Sequence, residues 1–267
     1  MIFLVLILGL VIGSFLNVCI YRIQKEESIA FPPSHCTSCG YNLKAVDLIP
    51  VISYISLKGK CRKCSENISI RYPIVELING IMYVVLFLKF GLSYTFIFSA
   101  IFFSILLVIS LIDLESKEIY FSTIIFGLIV AILYSLVEYF IFNGNIINNV
   151  IGAVIGYGII MIIVIVTGGM GEGDAEIAGI CGLFLGIKGI LLALFIAVVT
   201  GGIVGSIILL LKLKDKKTAI AFGPYIALGT IISILYGSKI IDFYLNYYSY
   251  LNWIQKHIVV VWDMKIY

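Results

Sequence analysis

Residues 95–112 read TFIFSAIFFSILLVISLI, eighteen residues without a charge, closed at position 113 by an aspartate. An uncharged run of that length approaches the roughly 20 residues that an α-helix needs to cross a bilayer. Comparable apolar stretches lie at about 1–21, 73–89, 121–142, 146–166, 175–187, 189–211 and 219–241, the sixth being the shortest of the set. Between them stand turn signals: Gly91 to Tyr94, Asn143 to Asn149, Thr167 to Gly173 and Lys212 to Lys217. The pattern predicts an all-α polytopic membrane protein of about eight transmembrane helices, with the lipid bilayer as its solvent.

Composition agrees. Hydrophobic residues make up 61% of the 267 and charged residues 12%, about half the charged share of a soluble domain. A formal net charge of +3 is too small to imply nucleic acid, and no nucleic-acid partner is expected. Residues 1–21 lack a basic leading segment and a small-residue cleavage site, so they read as an uncleaved first span. Frequent glycine from 152 to 205 suits closely packed membrane helices, and no internal repeat is evident.

Loop charge sets the orientation. If the spans alternate, loops 22–72, 113–120, 167–174 and 212–218 share one side and hold 13 of the 18 Lys and Arg, against 5 opposite. The richer side is expected to be cytoplasmic, with both termini outside. The chain then divides into a first helix (1–21), a cytosolic loop (22–72), a transmembrane core (73–241) and an extracytoplasmic or interfacial tail (242–267) rich in Tyr and Trp.

The long loop carries two CxxC pairs, Cys36 with Cys39 and Cys61 with Cys64, separated by 21 residues. Two such knuckles can bring four thiolates onto one tetrahedral Zn²⁺, leaving no open position and therefore a structural role. The alternative is two disulfides, which a reducing cytosol disfavours. A metal would fold a loop of about 50 residues that has little apolar core of its own. Cys19 and Cys181 fall inside spans and read as packing residues.

Ionisable groups at membrane depth are functional candidates by default. Asp113 ends the third span and Asp174 follows the glycine-rich turn TGGMGEGD. Alternation places both at the same, cytoplasmic, face. Two adjacent carboxyls share a proton, which supplies a general base for water and a general acid for a leaving amine. Simpler roles compete: Asp113 as a helix-end partner of Lys117, and Asp174 as an N-cap. Gly171 and Gly173 favour the catalytic reading, because glycine permits unusual backbone angles and close approach of a substrate strand.

Taken together, these residues resemble the type IV prepilin leader peptidases, relatives of the GxGD intramembrane aspartic proteases. The likeness covers about residues 9–235. It runs through GSFLNVCIYR (Gly13 to Arg22), SHCTSCG (Ser34 to Gly40), GKCRKC (Gly59 to Cys64) and ISIRYPIVEL (Ile68 to Leu77). It continues through ID (Ile112, Asp113), GEGD (Gly171 to Asp174) and FGPY (Phe222 to Tyr225). The resemblance implies a bacterial cytoplasmic-membrane enzyme with Asp113 and Asp174 as catalytic aspartates. It further implies removal of basic leaders from prepilin and pseudopilin substrates. The cysteine-bearing loop is similar to that of bifunctional members, which methylate the new N-terminal amine, typically of Phe, with S-adenosylmethionine. Glu76 occupies a family position and is a candidate for that second reaction; the alternative is a helix-start acid favoured by the dipole. Two positions depart from the pattern: Tyr120 stands where Pro is usual, and Glu176 where Lys is usual.

Two other classes fit parts of the chain. A transporter could use the aspartates as a relay, although transporter sites favour the membrane midplane. A non-catalytic assembly factor would use only the cysteine loop and would tolerate loss of both aspartates.

Overall fold

Inside lipid each backbone amide must bond within its own segment, so uncharged runs become helices. The computed structural model, which describes residues 1–211 and 221–263, carries this out. Helices are α1 (Ile2–Gln24), α2 (Ile52–Ser56), α3 (Arg71–Phe90), α4 (Tyr94–Ser116), α5 (Phe121–Phe142), α6 (Ile146–Thr167), α7 (Glu172–Leu210) and α8 (Gly223–Asp263), with a short 3₁₀ helix at Ala45–Leu48. Among the described residues seven helices, all but α2, are long and apolar enough to cross a membrane, and no strand is present beyond two isolated bridges. The chain is a multi-pass membrane protein. The Lys-rich loop 212–218 and residues 264–267 of the tail lie outside the described residues; α8 itself continues to Asp263.

Polar residues mark where helices start. Ser93 accepts the Phe96 N–H at the head of α4, and Asn145 accepts from Ile147 and Asn148 at the head of α6. Small residues set how closely the helices pack, since lipid offers no hydrophobic drive between them. Gly9 and Gly13 of α1, spaced four apart, let α3 approach so closely that a Cβ on either would lie 2.8 Å from the Cα of Gly80 or Glu76. Gly152 of α6 and Gly182 of α7 meet backbone to backbone in the same way.

Of the seven long helices, α7 is itself two helices folded at Gly186. That residue has φ 70° and ψ −178°, and breaks the helical path. A Cβ on Gly156 would meet both Ala178 and Ile190, residues that a straight helix places about 18 Å apart. The legs 172–185 and 187–210 therefore run antiparallel, as the two separate stretches in the sequence imply. Asn148 closes the turn by accepting the Ile187 N–H at 3.4 Å. Replacing Gly186 with Val forces a β-branched residue to positive φ and drives its Cβ into the Asn148 side chain. This variant is expected to lose about 1–3 kcal/mol, seen as a lowered midpoint of thermal unfolding in detergent micelles.

The register of α6 against the first leg pairs Asn148 with Gly186, Gly152 with Gly182 and Gly156 with Ala178. Continued by one turn, it sets Asp174 opposite Ile160, about 10 Å short of the α6 end at Thr167. On the other side Gly201 meets Phe222 and Tyr225 at the head of α8, and the second leg continues nine residues beyond, to Leu210. The end of α4, the head of α7 and the head of α8 thus meet in a recess walled by longer helices. The connections at residues 117–120 and 168–171 lie on the same side as the cysteine loop.

Candidate functional site

Asp113 and Asp174 meet in that recess, both only 4% exposed. Asp113 belongs to the last turn of α4, where its Oδ2 accepts the backbone N–H of Gly223 at 2.9 Å. The same amide faces Asp174, whose carboxyl is a charge neighbour of Asp113. A cavity of about 150 Å³ opens beside them, lined by Asp113, Asp174, Lys117, Ile119, Gly171 and Gly173 among others. That is room for several waters.

The helix-end roles that compete for these aspartates are only partly met. Asp174 is the third residue of α7 rather than its N-cap. Its Oδ2 reaches back to the Gly171 N–H at 3.2 Å, as the carboxylate of a capping box does. Its Oδ1 is buried and has no hydrogen-bond partner. Capping therefore uses one oxygen and leaves the other unpaired. Lys117 lines the cavity but forms no ion pair with Asp113; among the described residues the pairs are Arg62–Asp47 and Arg71–Glu115.

The glycines act differently from expectation. In the turn before Asp174 the left-handed residue is Gly168, at φ 60°, while neither Gly171 nor Gly173 has positive φ. Gly173 is needed for space, since a Cβ there would lie 2.7 Å from Ile119 Cδ1. Gly171 faces the cavity with nothing closer than Asp174 Oδ2 at 4.0 Å, leaving room for a backbone to approach. Of the two departures from the family pattern, Glu176 is exposed and outside the cavity lining. Tyr120 precedes α5 and its hydroxyl donates to Glu118 Oε2, with Gln24 O also in reach at 3.3 Å.

The four loop cysteines converge. Their Sγ atoms all lie within 4.8 Å of one another, and Cys36 and Cys64 are 3.9 Å apart. A tetrahedral site with Zn–S bonds of about 2.3 Å separates its sulfurs by about 3.8 Å, whereas a disulfide requires about 2.05 Å. The donor set and spacing fit Zn²⁺. Backbone N–H groups of Cys64 and Lys63 point at Cys61 and push its thiol below the ordinary range.

The two knuckles form a repeat that composition had hidden. Cys36 N–H bonds Tyr41 O as Cys61 N–H bonds Glu66 O, and the bridges His35–Asn42 and Lys60–Asn67 correspond. Every member is displaced by 25 residues, including the left-handed pair Gly40 and Ser65. The signal is geometric and spans too few residues to register as sequence self-similarity.

Glu76 sits elsewhere, on α3 behind the loop. Its Oε2 accepts the Val51 N–H at 2.7 Å, tying the loop to the membrane helix. It lines a second cavity of about 520 Å³ together with Asn17, Tyr21, Arg71 and Glu115. Arg71 forms an ion pair with Glu115 there, and Gln24 donates to the other Glu115 oxygen.

Four residues were not singled out as site residues by the sequence reading. Gly223 supplies the amide that holds Asp113; its signal was the Gly-Pro at 223–224, a helix start where Pro suits the first position. Asn17, only 1% exposed within α1, was an intramembrane polar residue of the kind that marks sites. Arg71 and Glu115 have no local signal, being 44 residues apart.

Comparison with known proteins follows the same division. Residues 7–90 match the bacterial peptidase A24 N-terminal domain, and residues 100–206 match the type IV leader peptidase family. A Bacillus subtilis (strain 168) protein named prepilin leader peptidase/N-methyltransferase is 32% identical over 250 residues, covering 92% of this chain and 98% of the relative. Proteins of the same name from Pseudomonas putida (32% over 262 residues; 88% and 90%) and Stutzerimonas stutzeri (30% over 271 residues; 91% and 93%) are also similar. No solved structure matches the chain.

Proposed function

We infer the reaction from one premise: the chain belongs to the type IV leader peptidase family. Its activity is that of a prepilin leader peptidase with an associated N-methyltransferase function. The substrates are prepilin-like proteins, cut at the cytoplasmic face of the bacterial inner membrane, the side on which loop charge places the recess.

The observation that carries the assignment of residues is the meeting of Asp113, held by the Gly223 amide, and Asp174 at one small cavity. A close carboxyl pair holds one proton between them. The ionised member takes a proton from a water in the cavity, and that water attacks the scissile carbonyl. The protonated member gives its proton to the departing nitrogen. Asp174 Oδ1, buried and unpartnered, is the oxygen free to engage the reacting atoms. Gly171 leaves space for the extended backbone of the substrate.

Cys36, Cys39, Cys61 and Cys64 would hold one Zn²⁺, which supplies a structural cross-link. The methyl donor supplies a methyl group on a sulfonium sulfur. The second cavity suits such a molecule: about 520 Å³ lies within the range of cofactor pockets, and one of its lining atoms, Arg71 Nε, is buried without a partner.

Incubating the purified chain with a prepilin, with and without S-adenosylmethionine, tests both activities by mass spectrometry. The expected product is a shortened pilin without the donor, heavier by one methyl group with it. An uncut prepilin would overturn the peptidase reading; a cut but unmethylated one would overturn the second.

A further inference from the structure

We propose that the acceptor pair formed by Asn17 and Glu76 is a binding site for a primary ammonium, and that Glu76 is the base that deprotonates it for methyl transfer. The second clause rests on the methyltransferase reading above; the first does not.

Asn17 and Glu76 lie on facing helices, one turn apart. Asn17 Nδ2 donates to Gly13 O and to Tyr72 O, at 3.3 and 3.1 Å. Gly13 packs on the Glu76 backbone, and Tyr72 is four residues before Glu76 on α3. With both amide hydrogens engaged, Asn17 Oδ1 is left as a buried acceptor without a donor. Such an atom costs roughly 1–3 kcal/mol unless something donates to it. Glu76 carries a carboxylate that accepts from Val51 N–H and faces Ser14, yet has lone pairs to spare. The ion-paired Arg71 and Glu115 neutralise each other at the cavity wall. Arg71 Nε is left as a donor on that wall, and Asn17 and Glu76 offer two buried acceptors, one of them anionic, a pair that selects a cationic donor of several N–H bonds.

Two ligands offer that chemistry: the α-amino group exposed by leader removal, and the cationic end of the methyl donor. The position of α4 favours the first. Asp113 lines the cleavage cavity and Glu115 the second one, two residues on and about 200° around the same helix end. A new N-terminus freed beside Asp113 has only to pass the end of α4 to reach Asn17.

In the reaction the ammonium passes one proton to the Glu76 carboxylate. The neutral nitrogen then forms a bond to the methyl carbon as the carbon–sulfur bond breaks, leaving a secondary ammonium and a neutral thioether. The proton on Glu76 returns to water through the cavity mouth.

The test uses the full-length chain in micelles with Glu76→Gln, which keeps an acceptor for Val51, and Glu76→Asp as the conservative variant. A short peptide beginning with a free Phe amine should bind wild type about tenfold or more tightly than its N-acetyl form. That preference should vanish in E76Q and return in E76D, while the ratio of affinities for S-adenosylmethionine and S-adenosylhomocysteine stays unchanged. Methylation by E76Q should fall about 100-fold or more at pH 7 and recover as pH rises towards the ordinary α-amino pKa near 8. Leader removal, carried out in the other cavity, is the control for folding. Retained amine preference in E76Q overturns the proposal, as does a selective loss of S-adenosylmethionine binding, which would assign the acceptors to the donor. If wild type prefers the free amine but never methylates, the methyltransferase reading falls and the ammonium site stands.

Discussion

Asp113→Asn and Asp174→Asn are each expected to reduce leader cleavage by about 10⁴-fold or more, with the protein still inserted in the membrane. The size follows from the way the two residues act as a unit, in which removing either member costs nearly as much as removing both. The substitution is nearly isosteric. In Asp113→Asn the side-chain oxygen can still accept the Gly223 N–H, so the recess keeps its shape and only the shared proton is lost. In Asp174→Asn the link to Gly171 can likewise persist. Folding is checked by membrane fractionation and by retained zinc, and activity by conversion of a co-expressed prepilin. Processing at near wild-type level by either variant would remove that residue from the dyad.

A second large effect is expected from the double substitution Cys36→Ser, Cys61→Ser. It takes one thiolate from each knuckle, and two remaining sulfurs do not retain a structural Zn²⁺ against water. Structural zinc sites contribute on the order of 10 kcal/mol to the fold around them. The loop 25–70 contains no α-helix beyond the single turn and a half of α2, so little else holds it. The variant should lose its one equivalent of zinc and its methylation, while leader cleavage stays within several-fold because the dyad rests on α4, α7 and α8. Metal analysis finding no zinc in the wild-type protein would overturn the site, and cleavage lost along with zinc would show that the loop supports the dyad as well.

Much of this was legible in the chain because the governing forces are local or one-dimensional. Uncharged length gives spans, and paired CxxC spacing gives the cysteine cluster. Parity of crossings alone put Asp113 and Asp174 on one face. The break at Gly186 was visible only as an unusually short stretch at 175–187; what makes it a turn is φ 70° and the fit against Asn148, neither of which is encoded nearby. Contacts at long separation were not legible at all. The Gly223 amide on Asp113 spans 110 residues, and the empty acceptor on Asn17 appears only when its two hydrogens are seen to be spent. The glycines of GEGD illustrate a subtler loss. They signal a constrained turn, yet the left-handed residue is Gly168, and Gly173 is small because Ile119 occupies the adjacent space.

The end of α4 has a bearing on how proteins of this architecture can vary. Asp113 and Glu115 owe their opposite aims to two residues of helical rotation, and each inserted or deleted residue upstream in α4 would turn both by about 100°. Insertions there would uncouple the two cavities from their carboxylates at once. Length drift is therefore tolerated only where no rotation is transmitted. The 21-residue stretch between Cys39 and Cys61, held at both ends by sulfur and tied to α3 at Val51, transmits no such rotation and is such a place. Helix four behaves as a fixed axle and the cysteine loop as the part that can be resized.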